Sequence, residues 1–372
     1  MAEKNENKNN YNKFIIVALV LVVVLILVDV LAKNLPWDNL FKKEVITTNK
    51  TDVTIEDNGI GESVNKLYDS TVIVKVSVSG GTGWGSGVIY DVDDEFGYLL
   101  TNNHVVENAR KIMIAFTNEK EVEGTLVGTD EISDIAVVKV PKEYVIKKCD
   151  IGDSSVLKLG DTTFAIGTPI SLTYSFTITR GIISGKNRLV EVSSSNSGYS
   201  FFGSYNSETW YMNLIQTDAA VNSGNSGGPL ANANGEVVAI INSKLSSSSS
   251  SSIENMGFGI PIEDALNIAE QLRTKGKVIR PILGVGFVTQ NRYYQTETEE
   301  TGAIIGKVES GSSADAAGLE VGDTITKFGD YTIKDYKYLK YYLYRYKVGD
   351  TIDVTYIRDG KEKTTKITLR ES

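Results

Sequence analysis

Hydrophobic and polar positions fall into distinct textures along the chain. Residues 1–13, MAEKNENKNNYNK, are polar with no face to bury, which predicts a disordered tail. From Phe14 to Ala32 the run FIIVALVLVVVLILVDVLA is apolar but for Asp29. As a helix it spans about 28 Å, close to the ~30 Å hydrocarbon core of a bilayer, so a single membrane-spanning anchor is expected. A cleaved signal peptide is the competing reading, because Val30-Leu31-Ala32 offers a small-residue site after the apolar run. Lysines flank both sides, so charge sets no orientation. On either reading the bulk of the chain is expected to be extracytoplasmic, beginning with a polar tether over 33–65.

The texture then changes to short β-branched runs separated by Gly, Asn and Asp, among them STVIVKVSV, GYLLTN, DIAVVKV, TTFAIGT, YMNLIQT and GEVVAIINS. Many short strands with turn signals between them predict a β-barrel or sandwich. A helix closes this region. In PIEDALNIAEQLRTKG the apolar Ile262, Ala265, Leu266, Ala269 and Leu272 share one face, and Gly276 is placed to stop it. The remainder, 277–372, mixes strands with one or two helices and reads as an independent α+β module. The whole is mainly β.

Composition narrows the chemistry. At 372 residues and 41% hydrophobic, the chain can form two or three units, each with its own core. Lys+Arg of 38 against Asp+Glu of 47 gives a net charge of −9 with no clustered basic face, which sets nucleic acid aside. A lone cysteine, Cys149, cannot close an internal disulfide and reads as structural. With one histidine beside it, a zinc site lacks its usual ligands, and neither metal nor cofactor is expected. GTGWGSG, residues 81–87, has a nucleotide-loop look, but a strand-like VIYDV follows it instead of a helix, so that reading is rejected.

That one histidine, His104 in TNNHVV, stands where a strand ends and a short helical turn, VVENA, is expected to begin. A solitary histidine on an apolar stretch is ordinarily a packed ring. NSGNSGGPL, residues 222–230, changes the weighing. Its glycines let the backbone turn tightly around Ser226 and aim N–H groups at one point, as acyl transfer requires for a developing oxyanion. Asp134 heads the apolar run in SDIAVVKV, a place where a carboxylate can be partly buried and fixed. The chain order His, Asp, Ser is that of serine proteases built from two β-barrels.

TNNHVV, SDIAVVKV and QTDAAVNSGNSGGPL, followed by a C-terminal module, resemble the HtrA (Deg) serine proteases over residues from about 66 to 372. The resemblance implies a trypsin-like double β-barrel over 66–276 and a PDZ domain over 277–372. It implies Ser226 as nucleophile, His104 as base and Asp134 as the carboxylate that orients the imidazole. The oxyanion hole would use the N–H groups of Gly224 and Ser226. Ala220 would form the base of the pocket for the residue before the cut, walled by Ile241, Asn242 and Ser243. No carboxylate is there to pair a basic side chain, so small or medium aliphatic residues are expected. Leu283, Gly284 and Val285 correspond to the loop that captures a peptide's C-terminal carboxylate. A homotrimer is likewise implied.

Two stretches depart from the family's usual pattern. Ser246–Ser252 are seven consecutive serines beside the expected pocket, and read as a flexible spacer or as a loop to be ordered before the site works. Residues 189–210 form a long insert where the family has its sensor loop, and Arg188 before it matches an arginine that in some relatives links that loop to the PDZ domain. Tyr336, Tyr338, Tyr341, Tyr342, Tyr344 and Tyr346 crowd one segment, mostly as half-buried packing, with one or two lining the peptide groove. The expected activity is ATP-independent cleavage of unfolded extracytoplasmic proteins, tuned by the PDZ domain. The rival is a latent protease-fold chaperone or peptide-binding protein.

Overall fold

The computed structural model describes residues 3–34, 59–193, 209–243, 255–288 and 302–371. The first helix, α1, runs Glu3–Asn34. Residues 3–13, expected to form a disordered tail, therefore continue the helix. Extending a helix already nucleated by the apolar run costs little for Glu and Lys and about half a kcal/mol for each Asn, far less than starting one. Lys13–Leu31 is long and apolar enough to cross a membrane, and none of it is buried. Asp29 pairs with Lys33 one turn on, at 2.6 Å.

The second unit opens with α2 (Gly61–Tyr68), which straddles the end of the stretch 33–65 expected to be tether. Leu67 is fully buried, and Ile60, Val64 and Tyr68 pack on the same cluster. Seven strands follow: β1 (Thr71–Val78), β2 (Gly81–Val92), β3 (Phe96–Thr101), β4 (Lys111–Ala115), β5 (Glu121–Glu123), β6 (Thr125–Asp130) and β7 (Ile135–Pro141). They pair in the order β5-β4-β1-β2-β3-β7-β6. The two edge strands are joined by Gly124 alone, so the sheet curls until its ends meet. A Cβ at Gly124 would lie 2.7 Å from Val138 Cγ1, which is why this corner takes glycine. GTGWGSG lies within β2, so the rejected loop is a strand.

Strands β8 (Thr162–Gly167), β9 (Thr177–Ser193), β10 (Thr209–Thr217), β11 (Pro229–Asn232), β12 (Val237–Ile241) and β13 (Gly257–Pro261) close a second barrel. Each barrel has an apolar interior, with Val74, Ile89, Leu99 and Phe116 in the first and Ala165, Ile183, Leu230 and Val238 in the second. Leu100, Ile135, Phe164 and Ile166 belong to a third cluster shared by both. The outward faces of strands from both barrels thus bury against each other. Cys149 joins this shared core at 3% exposure, and burial pushes its thiol up to about 12, which suits a structural residue.

α3 (Asn103–Val106) lies between β3 and β4, and α4 (Ile262–Lys275) follows β13. Ile262, Ala265, Ala269 and Leu272 of α4 are buried as the periodicity predicts, with Leu266 half-buried, and Gly276 caps the helix at φ 72°.

The C-terminal module has a main sheet ordered β15 (Val285–Phe287), β16 (Ala303–Val308), β17 (Thr324–Phe328), β19 (Thr351–Arg358) and β20 (Lys361–Thr368), with β18 (Tyr331–Thr332) beside β17. β14 (Pro281–Ile282) pairs with β21 (Arg370–Glu371). Helices α5 (Ser313–Ala316) and α6 (Tyr336–Leu343) complete it, around Ile305, Ile325, Phe328, Leu339 and Ile367.

The tyrosines of α6 and its exit pack as expected, but some also join this module to the barrels. Tyr341 Oη donates to Asp264 Oδ2 of α4 at 2.9 Å, and Arg345 Nη2 donates to Asp264 Oδ1 at 2.9 Å. Tyr336 meets Tyr211 of β10 edge-on, at 6.0 Å between ring centroids.

Candidate active site

β3 and β7 run antiparallel with Thr101 opposite Ala136, so the residues just past β3 and just ahead of β7 lie side by side. The chain leaving β3 enters α3 at once, and His104 is inside that turn rather than ahead of it, where a helix starting at VVENA would leave it. Asp134 ends the hairpin loop between β6 and β7 at φ 52°, a left-handed conformation that Asp tolerates better than most residues. Its carbonyl accepts from Asn103 N–H at 3.1 Å and from Asn102 Nδ2 at 2.9 Å.

The Asp134 carboxylate is almost fully used. Oδ1 accepts His104 N–H at 2.9 Å. Oδ2 takes His104 Nδ1–H at 2.6 Å and Asn242 Nδ2–H at 2.8 Å. With Nδ1–H committed to Asp134, Nε2 is left as an acceptor, and Ser226 Oγ lies 3.0 Å from it. Hydroxyl, imidazole and carboxylate thus form one hydrogen-bonded line. Ser226 is 3% exposed, whereas the His104 side chain keeps 21% of its surface open.

Ser226 comes from the second barrel, in the loop before β11. Gly224 sits at φ 99°, and a Cβ there would lie 2.0 Å from Thr168 O, so only glycine fits. The N–H groups of Gly224 and Ser226 donate to no described residue, whereas Asn225 N–H between them is tied to Asn222 O at 3.0 Å. Two such donors flanking one engaged donor can hold an anionic oxygen.

Ser86 of β2 joins the barrels at this point, a role that the sequence did not disclose. Its N–H donates to Ser226 O at 2.8 Å, and its Oγ donates to Gly224 O at 2.8 Å while accepting Thr168 N–H at 3.1 Å. Thr101 Oγ1 donates to Ser86 O at 2.8 Å. The Gly224 partner lies 138 residues away in sequence, and a serine between glycines carries no local mark of it. A cleft of about 340 Å³ opens over the site, lined by Val76, Val78, Trp84, His104, Gly224 and Ser226 among others.

The expected specificity residues scatter. Ala220 is exposed, and its carbonyl accepts from Thr179 Oγ1 at 3.0 Å. Ile241 is fully buried in the second barrel's interior, so its side chain is no pocket wall. Asn242 turns its amide to Asp134, and Ser243 Oγ lies 2.5 Å from Ser226 Oγ. Strand alternation explains the opposite directions of Ile241 and Asn242, since successive side chains face opposite sides. Arg188 lies on β9, exposed, with Nε donating to Gln216 Oε1 at 3.2 Å on its own hairpin. Ser246–Ser252 and residues 194–208 of the insert lie outside the described residues.

In the C-terminal module, Leu283 is buried and Val285 begins edge strand β15. Gly284 between them is at φ 71°, where a Cβ would meet Ser312 Cβ at 2.2 Å. Phe287 of β15 stacks on Tyr336 of α6 at 6.0 Å, which puts an aromatic pair between the edge strand and the helix. Among the described residues, no group of three or more His, Cys, Asp or Glu could hold a metal.

Two barrels with a Ser–His–Asp line at their seam, followed by an α+β module with five main strands and two helices among the described residues, define a trypsin-like serine peptidase joined to a PDZ domain. Family models agree, matching a trypsin-like peptidase domain over residues 85–240 and a PDZ domain over 281–369. The serine protease Do-like HtrA of Bacillus subtilis (strain 168) is 40% identical over 299 residues, covering 77% of this chain and 64% of that protein. Its namesake from Lactococcus lactis subsp. cremoris (strain MG1363) is 36% identical over 298 residues, covering 77% of this chain and 71% of its own length. The chain belongs to this HtrA family. Among solved structures, the HtrA-type protease AlgW with a tripeptide superposes with a TM-score of 0.66 at 28% identity, covering 84% of this chain and 97% of that one. The serine endoprotease from Yersinia pestis gives 0.60 at 29%, covering 84% and 98%.

Proposed function

We propose that this chain is a serine endopeptidase of extracytoplasmic protein quality control, tethered by α1 and acting without ATP on unfolded or damaged proteins. The line from Ser226 Oγ through His104 to Asp134, at 3.0 and 2.6 Å, carries the reading. His104 takes the Ser226 proton as the hydroxyl attacks the scissile carbonyl, and returns it to the leaving amine. Asp134 holds the imidazole in the required tautomer and stabilises the imidazolium. Gly224 and Ser226 N–H groups receive the oxyanion. Water then attacks the acyl-enzyme by the same proton route.

The polypeptide is cut after small or medium aliphatic residues, a preference that rests on the family resemblance and the absence of a carboxylate at Ala220, since Ile241 and Asn242 face away from the expected pocket. Leu283, Gly284 and Val285 capture peptide C-termini, with β15 as the edge to which a peptide strand adds, and this occupancy tunes the protease. The solved AlgW complex with a tripeptide supports peptide capture. The family resemblance adds a homotrimer.

The full chain in detergent, given reduced casein as an unfolded substrate, tests the core of this reading. Cleavage after residues such as Val or Ala is expected, and Ser226→Ala should lower turnover by roughly 10⁴-fold or more. Equal degradation by wild type and Ser226→Ala would sink it.

A further inference from the structure

The loop that presents Asp134 is held from outside the active site. Asp130, at the end of β6, is 8% exposed, and its Oδ2 accepts Ser133 N–H at 2.8 Å and Ser133 Oγ–H at 2.6 Å. That closes the turn that leads into Asp134 in its left-handed conformation. The same carboxylate is gripped in a fork by Arg280, with Nη1 on Oδ1 at 2.7 Å and Nη2 on Oδ2 at 2.6 Å. The Arg280 side chain is 14% exposed, so the pair is largely out of water.

Arg280 stands outside the peptidase barrels, directly before Pro281 and three residues ahead of Leu283 in the expected carboxylate loop. Its guanidinium lies 5.2 Å from the ring of Tyr344, at the end of α6. A cavity of about 70 Å³ at this junction is lined by Ile132, Ser133, Arg280, Tyr344 and others, so the turn faces the PDZ-like module.

We propose that Asp130 and Arg280 are positioning residues for the triad, acting by fixing the turn that presents Asp134. The inference rests on the serine endopeptidase reading above. The physical argument is one of strain and order. Asp134 must keep a backbone conformation that costs a non-glycine residue free energy, and such conformations persist only where their surroundings over-determine them. Asn102 and Asn103 fix the Asp134 carbonyl, and Asp130 fixes the turn through Ser133. Arg280 in turn fixes Asp130, whose carboxylate would otherwise be buried with a charge and no cation. Loosening the pair lets the Asp134 carboxylate wander from His104 Nδ1, which lowers turnover and leaves substrate contacts untouched.

The test is kinetic, on the full chain in detergent. Asp130→Asn and Arg280→Gln should each lower kcat roughly 10-fold or more with KM within about twofold, as expected of a group acting on the transition state rather than on substrate binding. The double variant should be no slower than the slower single, because the two act as one unit. Arg345→Ala, which breaks a different bond between the same two modules, should leave kcat within about twofold. Circular dichroism melts verify that each variant is folded.

Folded single variants at full kcat would overturn the proposal, as would multiplicative losses in the double variant or an equal loss in Arg345→Ala. The last result would make the contact simple docking. Wild type without Ser226-dependent cleavage would overturn the endopeptidase reading and this proposal together. An active wild type with unaffected Asp130 and Arg280 variants would overturn this one alone.

Discussion

Gly224 is the residue at which sequence pattern and geometry agree most closely. Its N–H is a proposed oxyanion donor, its φ is 99°, and a side chain would collide with the Thr168 carbonyl. Gly224→Ala must therefore move the backbone at the nucleophile. Displacing one oxyanion donor costs about 10²–10³ in kcat. Steady-state kinetics on a chromogenic peptide should show that loss with little change in KM. A wild-type kcat in a folded Gly224→Ala variant would remove Gly224 from the hole. Ser226, His104 and Asp134 stand out in the sequence only in combination and through the family resemblance, because each alone has an ordinary structural reading. Ser86 and the amide of Asn242 do not stand out at all, since their roles arise from contacts with residues far along the chain.

Short β-branched runs locate most strands, and period 3.6 locates α4 and its stop. A Cβ added at Gly276 would meet no atom within 4 Å, so replacing this glycine at φ 72° costs backbone strain alone. Gly276→Ala should destabilise by about 1 kcal/mol, readable as a lowered thermal midpoint with unchanged catalysis. A drop of several kcal/mol would mean that the position is closely packed. Expectation and structure part where local composition and tertiary setting pull in different directions. The polar residues 3–13 offer no apolar face in sequence yet extend α1. α2 is short and polar in composition, but Leu67 anchors it in the shared core. The tyrosines of α6 show the same limit: spacing marks an amphipathic helix, not that Tyr341 and Arg345 reach across to Asp264.

At the scale of the whole molecule, carboxylates with shifted pKa values set the response to acid. Burial alone would raise Asp130, but Arg280 and Ser133 hold it below the usual carboxylate range. Asp323 is likewise held down against burial by Arg358 and the Glu320 N–H. For half-buried Asp93, the N–H groups of Phe96 and Glu95 and the hydroxyl of Tyr98 lower the value to about 2. A carboxyl with a folded pKa below its unfolded one contributes stability that is present above the unfolded value and lost as pH falls through the folded one. Asp264 runs the other way: burial raises it despite Arg345 and Tyr341, so its contribution is full at low pH and declines as pH rises through its folded value. Among the described residues Asp153, held down by the Ser155 hydroxyl and N–H, is a fourth lowered carboxylate against one raised, which predicts a thermal midpoint that falls steeply below about pH 4. Asp323→Asn should flatten that slope in melts between about pH 2 and 7, and a midpoint level across the range would contradict the assignment.

The sequence by itself determined the apolar span, the β-rich region and the following α+β module. Each is written in short-range pattern, because periodicity and turn chemistry act over a few residues. Tertiary structure alone decided that Ile241 at the end of β12 faces the core while Asn242 beyond it faces Asp134, how Ser86 ties the barrels together, and that Arg280 grips the turn bearing Asp134. Those outcomes depend on burial and on contacts between distant segments, whose partners are chosen only when the elements pack.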